Sequence, residues 1–75
     1  AGRNLRAAGG AVMSGRILIV GRGTAGMTLA ADVRRRGGDV VGFLDDHVTG
    51  DDVLGTLRDV DAVVAAEAID LVYFS

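Results

Sequence analysis

Seventy-five residues allow at most one small domain, and a domain of that size buries only about 60% of its unfolded surface. A 49% hydrophobic content with 12 glycines is a compact globular composition, and the net charge of −2 argues against a general nucleic-acid role. The absence of Cys excludes disulfides, thiolate metal ligands and a Cys nucleophile, and fits a reducing compartment; all 8 basic residues are Arg, so no Schiff-base, Walker-loop or Tyr-Lys catalytic lysine can come from this chain.

Ala1 to Gly15 is small, polar and Gly-rich, and reads as a linker or upstream remnant. Asn4 to Ala8 has the pattern of a helical turn that Gly9-Gly10 would end, and two readings of the start stand equally: Met13 as the true start, or an appended scar or mis-called start. No apolar run approaches the roughly 20 residues of a membrane span, and no signal-peptide core is present. Ile17-Leu18-Ile19-Val20 is a continuous apolar run suited to a strand, Arg16 to Val20, buried on both faces of a parallel sheet. Gly21-Arg22-Gly23-Thr24-Ala25-Gly26 follows, and a helix from about Thr24 to Arg36 opens inside it. Gly37-Gly38 supplies the stop, and Arg34-Arg35-Arg36 complements the helix dipole, as a solvated end or as a contact for phosphate or a partner.

The second strand is Asp39 to Leu44, ending at Asp45 and Asp46. Asp45 to Asp52 is an acidic loop; its one His, His47, has no nucleophile or base paired with it by sequence, and the spacing matches no known calcium or zinc pattern. Val53-Leu54-Gly55 is a short extended piece. Leu57, Val60, Val63 and Val64 follow helical spacing, with Asp59 or Asp61 as N-cap and Glu67-Ala68 at the end, and Leu71 to Phe74 forms the last strand. Right-handed crossovers would place the three long strands in the order 3-2-1 in a parallel sheet. The first strand would then have an unpaired apolar side, which predicts a missing second half-domain or pairing with another copy.

Strand, G-x-G-x-x-G turn, helix, second strand and terminal acid together make the dinucleotide-binding fingerprint of a Rossmann-like α/β fold, here a βαβαβ half of a doubly wound parallel sheet. In that arrangement Gly21 permits the tight turn, Gly23 lets a pyrophosphate approach the backbone, and Gly26 lets helix and strand pack closely. The first N–H groups of the helix, from Thr24 to Met27, point at the anion, and the Thr24 hydroxyl adds a donor. Arg22 either neutralises phosphate or sits in solvent. Asp45 lies nineteen residues past Gly26, close to the roughly 20 expected of a ribose-binding acid, and a carboxylate there disfavours NADP. The plain alternative is that Asp45 and Asp46 cap the strand and open a turn.

Gly21 to Gly26, Val40-Val41-Gly42-Phe43-Leu44-Asp45-Asp46, Val53-Leu54-Gly55-Thr56-Leu57 and Ile69-Asp70-Leu71-Val72 together resemble one family. It is the Rossmann-like nucleotide-binding domain of bacterial polysaccharide-biosynthesis proteins: nucleoside-diphosphate-sugar epimerases/dehydratases, related sugar-phosphate transferases, and sugar O-acyltransferases of the left-handed β-helix type. The resemblance covers roughly Arg16 to Ser75. It departs in the short loop after Asp46 and in Asp52, where the family commonly has Pro. It implies a module that binds NAD or a nucleotide-sugar through Gly21, Arg22, Gly23, Thr24, Ala25, Gly26, Asp45 and Asp46. It also implies a cytoplasmic setting or, in full-length relatives, the cytoplasmic face of a membrane. No catalytic motif of the family falls within these residues. The residues alone leave open the cofactor-binding half of an NAD-dependent oxidoreductase, an NAD-sensing regulatory domain, and a half-domain that keeps the fold and binds nothing.

Overall fold

The computed structural model describes residues 12–75. The linker reading of the start, and the helical turn at Asn4 to Ala8, therefore lie largely outside the described residues. Met13 is within them, and it is tied to the domain: its N–H donates to the Arg36 carbonyl at 2.6 Å and its side chain packs on the core.

The chain runs β1 (Arg16–Val20), α1 (Thr24–Arg35), β2 (Asp39–Leu44), β3 (Val53–Gly55), α2 (Val60–Ala66) and β4 (Leu71–Phe74), with a 3-10 turn at Leu57–Asp59 before α2. All strand pairings are parallel, in the order β3-β2-β1-β4. This is the α/β half-sheet that the sequence predicts, with one correction. The last strand does not leave β1 open; it pairs with β1 from Ile17↔Leu71 to Val20↔Phe74. β1 is central, and the open edges are β3 and β4. The reason is that Val53–Gly55 is itself a strand, beyond β2, and α2 returns over the opposite face from α1.

The two faces follow from the period of β1. Ile17 and Ile19 point to one side, where they join Ala30 and Val33 of α1 and Phe43 of β2 in one buried cluster. Leu18 and Val20 point to the other, where they join Leu44 under Val60, Val63 and Val64. A strand flanked by helices on both faces must be apolar at every position, which is why Ile17 to Val20 shows no alternation. Burying each such side chain is worth roughly 1.5–3 kcal/mol, so β1 is the energetic centre of a very small core.

α1 buries the stripe Gly26, Ala30 and Val33. Its end is a Schellman motif: the Gly38 N–H donates to the Val33 carbonyl at 3.0 Å and the Gly37 N–H to the Arg34 carbonyl at 3.1 Å, with Gly37 at φ +93°. α2 ends similarly, with the Ile69 N–H on the Val64 carbonyl at 3.0 Å, but Ala68 occupies the left-handed position at φ +52°. Of the two N-caps expected for α2, the structure selects Asp59, and Glu67 closes the helix as expected. The Asp59 carboxylate reaches back to the N–H and hydroxyl of Thr56, at 2.8 and 3.1 Å, and so braces the preceding turn.

Charge organises the rim at the N-terminal ends of the strands. The Arg16 N–H donates to Asp70 at 2.8 Å, its Nε to the Glu67 carbonyl at 2.7 Å, and its guanidinium lies 3.4 and 3.5 Å from Asp39 and Glu67. These bonds tie β1, β2 and the α2–β4 connection at the end of the sheet opposite the glycine turn.

Candidate functional site

In open α/β sheets, ligands bind outside the carboxyl ends of the strands, where successive connections leave in opposite directions. Here that point lies between β1 and β4. A crevice of about 380 Å³ occupies it, bordered by Val20 and Gly21 at the end of β1, Phe74 and Ser75 at the end of β4, and Asp45 and Asp46 at the end of β2. Its size is within the roughly 300–1,000 Å³ of small-molecule sites.

The three glycines of the turn have different reasons to be glycine. Gly21 lies at φ +106°, and a Cβ there would collide with the Ser75 hydroxyl. Gly26 is buried against the end of β1; a Cβ would strike the Gly21 carbonyl group, whose carbon is 2.8 Å away. Gly23 has neither constraint. Its φ of −81° and ψ of −165° suit any residue, and a Cβ would meet nothing within 4 Å. The space beside Gly23 is open, and it lies directly before the N-terminus of a 12-residue helix. No side chain caps that helix. The Met27 N–H donates to the Gly23 carbonyl at 2.9 Å, while the N–H groups of Thr24, Ala25 and Gly26 have no acceptor among the described residues. Thr24 and Ala25 are exposed beside them.

Arg22 is neither free nor waiting in solvent. Its Nε lies 3.0 Å from Asp52 Oδ1 and 3.2 Å from Oδ2, and its guanidinium carbon stands 5.5 Å from the centre of the Phe43 ring. The Arg22 side chain therefore ties the glycine turn to the start of β3. The bond from Arg22 is the main cause that holds the Asp52 carboxyl below the ordinary range.

Asp45 is equally committed. Its Oδ2 accepts the Arg22 backbone N–H at 2.8 Å, and its Oδ1 accepts the N–H groups of His47 and Val48, each at 2.8 Å. Three donors aimed at one carboxylate favour its charged form: the Arg22 N–H foremost, then those of Val48 and His47, lower the Asp45 pKa from 3.8 to about 2. Asp46 turns the other way and accepts the Leu57 N–H through Oδ1 at 2.9 Å. The acidic loop is thus folded around its own carboxylates. Among the described residues, no group of three or more His, Cys, Asp or Glu could hold a metal ion. The His47 side chain is exposed at the loop surface.

The sequence reading brought together Gly21 to Gly26, Asp45 and Asp46, and the structure gathers these at one end of the sheet. It did not anticipate Ser75, whose N–H and hydroxyl both donate to the Val20 carbonyl at 3.0 Å, nor Leu57, Phe74, Thr56 and Arg58 around the rim. The signal available for Ser75 was its position one residue past a strand. Only knowledge of which strand lies beside β1 makes that position informative.

Among the described residues, no helix is long and apolar enough to cross a membrane. Comparison with models of protein families, with curated proteins and with solved structures finds no match to this chain, so the site is read from its own geometry.

Proposed function

We propose that this chain is a nucleotide-binding module that holds the pyrophosphate of NAD or of a nucleotide-sugar. The phosphates rest on the backbone from Gly23 to Gly26, and the ribose lies toward the acids at the end of β2. The resemblance to polysaccharide-biosynthesis proteins makes a nucleotide-sugar pathway the setting, with chemistry supplied by another domain or protein. One observation carries this reading: Gly23 is a glycine that the fold does not need, set in open space before three unused helix N–H groups. A ligand that must approach the backbone closely explains both features.

A second reading has its own support. The order β3-β2-β1-β4 is that of the first four strands of the common dinucleotide-binding sheet. That favours the cofactor-binding half of an NAD-dependent oxidoreductase, or an NAD-sensing domain, with the same site residues.

Titration calorimetry with NAD, NADP, ADP, UDP and a UDP-sugar tests the proposal. Saturable binding of at least one, lost in Gly23→Val while the variant keeps the wild-type circular dichroism spectrum, is the expected result. Binding undiminished in Gly23→Val would remove the glycine turn from the site.

A further inference from the structure

The arginine of the glycine turn is held by a carboxylate thirty residues away in sequence. Resting on the nucleotide reading above, we propose that Arg22 supplies the counter-charge for the ligand's phosphates, and that Asp52 is the positioning residue that presents it.

A guanidinium carries its N–H donors in a flat fork, one on Nε and the rest on Nη1 and Nη2. Asp52 takes the Nε–H, at 3.0 and 3.2 Å to its two oxygens. The Phe43 ring lies against the group, its centre 5.5 Å from the guanidinium carbon, and the Arg22 side chain is only 26% exposed. Its backbone N–H is fixed as well, on Asp45 at 2.8 Å. The Nη donors, by contrast, have no acceptor among the described residues. Arg22 borders an open hollow of about 630 Å³ together with Gly23, Thr24, Met27 and Thr28, at the start of α1. A free arginine loses its rotamer freedom when it meets a phosphate; this one has lost it already on folding. Asp52 can hold Arg22 because the sheet holds Asp52. The Asp52 carbonyl accepts the Phe43 N–H at 2.8 Å, and a Cβ on Gly42 would stand 2.9 Å from that same carbonyl oxygen. Gly42 thus lets β3 lie close to β2, and so seats the carboxylate that positions Arg22. The negative charge of Asp52 also repels a phosphate, so its two effects on affinity have opposite signs and can be told apart.

The test measures the affinities of inorganic pyrophosphate and of ADP for the wild-type chain, Arg22→Gln, Asp52→Ala, Asp52→Asn and the double variant Arg22→Gln with Asp52→Ala. Circular dichroism confirms that each is folded. Arg22→Gln should weaken both ligands about 10- to 100-fold, the effect of losing hydrogen bonds to a charged partner. Asp52→Ala should weaken both about 2- to 10-fold, the effect of leaving one long side chain to be ordered on binding, although it removes a nearby negative charge. Asp52→Asn keeps an acceptor for the Nε–H and should recover most of that loss. In the double variant, Asp52→Ala should add nothing to the loss from Arg22→Gln, because it acts through that residue. An Asp52→Ala protein that binds pyrophosphate as tightly as wild type, or more tightly, overturns the positioning role: Asp52 would then only compete with phosphate for Arg22. An undiminished effect of Asp52→Ala in the double variant overturns it too. Wild-type binding of ADP that Arg22→Gln leaves unchanged overturns the whole assignment while the nucleotide reading stands. A wild-type chain that binds neither pyrophosphate nor any nucleotide tried overturns both readings.

Discussion

Replacing Gly26 and Gly23 by Ala separates a glycine that the fold requires from one that it does not. In an ordinary helix interior, Gly→Ala gains about 1 kcal/mol from propensity alone. At Gly26 the added methyl meets backbone, with the Gly21 carbonyl carbon at 2.8 Å where carbon–carbon contacts rest near ~3.5–4.0 Å. Backbone cannot swing aside, so α1 must move off β1 by about 1 Å and loosen the contacts of Ala30 and Val33. Overpacking of this kind costs up to about 3 kcal/mol, which leaves a net loss of about 2 kcal/mol after the propensity gain. For a domain of this size that is a fall of roughly 8–16 °C in melting temperature. At Gly23 the same methyl enters open space. Ala is a poorer N-cap than Gly, but it reduces the entropy of the unfolded chain by a similar amount, so the net change should stay within about 0.5 kcal/mol. Urea and thermal denaturation followed by circular dichroism measure both. Equal destabilisation by the two substitutions, or a Gly26→Ala protein as stable as wild type, would refute the account of the turn.

Three further outcomes are expected. Ala68→Gly relieves an L-residue held at φ +52° and should stabilise by about 1 kcal/mol, read as a rise of roughly 4–8 °C; a fall would mean that the left-handed cap is not formed. Leu18→Ala empties a fully buried position in β1 and should cost about 2–5 kcal/mol, enough to bring so small a domain close to unfolding in water, as urea titration would report. Asp45 has a folded pKa lowered from 3.8 to about 2, so its contribution is complete above 3.8 and is lost as pH falls from 3.8 toward 2. Wild type should therefore be more stable than Asp45→Asn at pH 7, with the gap closing across that window in acid melts; a gap independent of pH would contradict the bonds drawn to its carboxylate.

Much of this structure is legible in the residues because the local signals are strong. The short β-branched-rich run Ile17 to Val20, in a segment flanked by glycines, suits a doubly covered strand, and the glycine turn followed by a helical pattern marks the start of α1. The position of β4 is not legible in the same way. Periodicity says which faces of a helix are apolar, but not which face of the sheet the helix covers, and that choice decides the side of β1 on which β4 lands. Counting Val53–Gly55 as a strand would have moved α2 to the far face and β4 to its observed place. The site shows the same division. The spacing from Gly26 to Asp45 finds the end of the sheet where the acids lie. It cannot tell that Asp45 spends its oxygens on Arg22, His47 and Val48, because those bonds depend on how the loop turns back on itself. Nor can it tell that Arg22 is held by Asp52, thirty residues away in sequence.

The central claim is that the end of β1 and the start of α1 hold a nucleotide. It is tested most directly by the melting temperature of the wild-type chain with and without NAD, ADP and a UDP-sugar. A ligand present at a hundred times its dissociation constant stabilises the folded state by about 2.7 kcal/mol, which here means a rise of roughly 10–20 °C. The account predicts such a rise with at least one of the three, and its absence in Gly23→Val. A well-folded chain whose melting temperature responds to none of them, at millimolar concentrations, would contradict it.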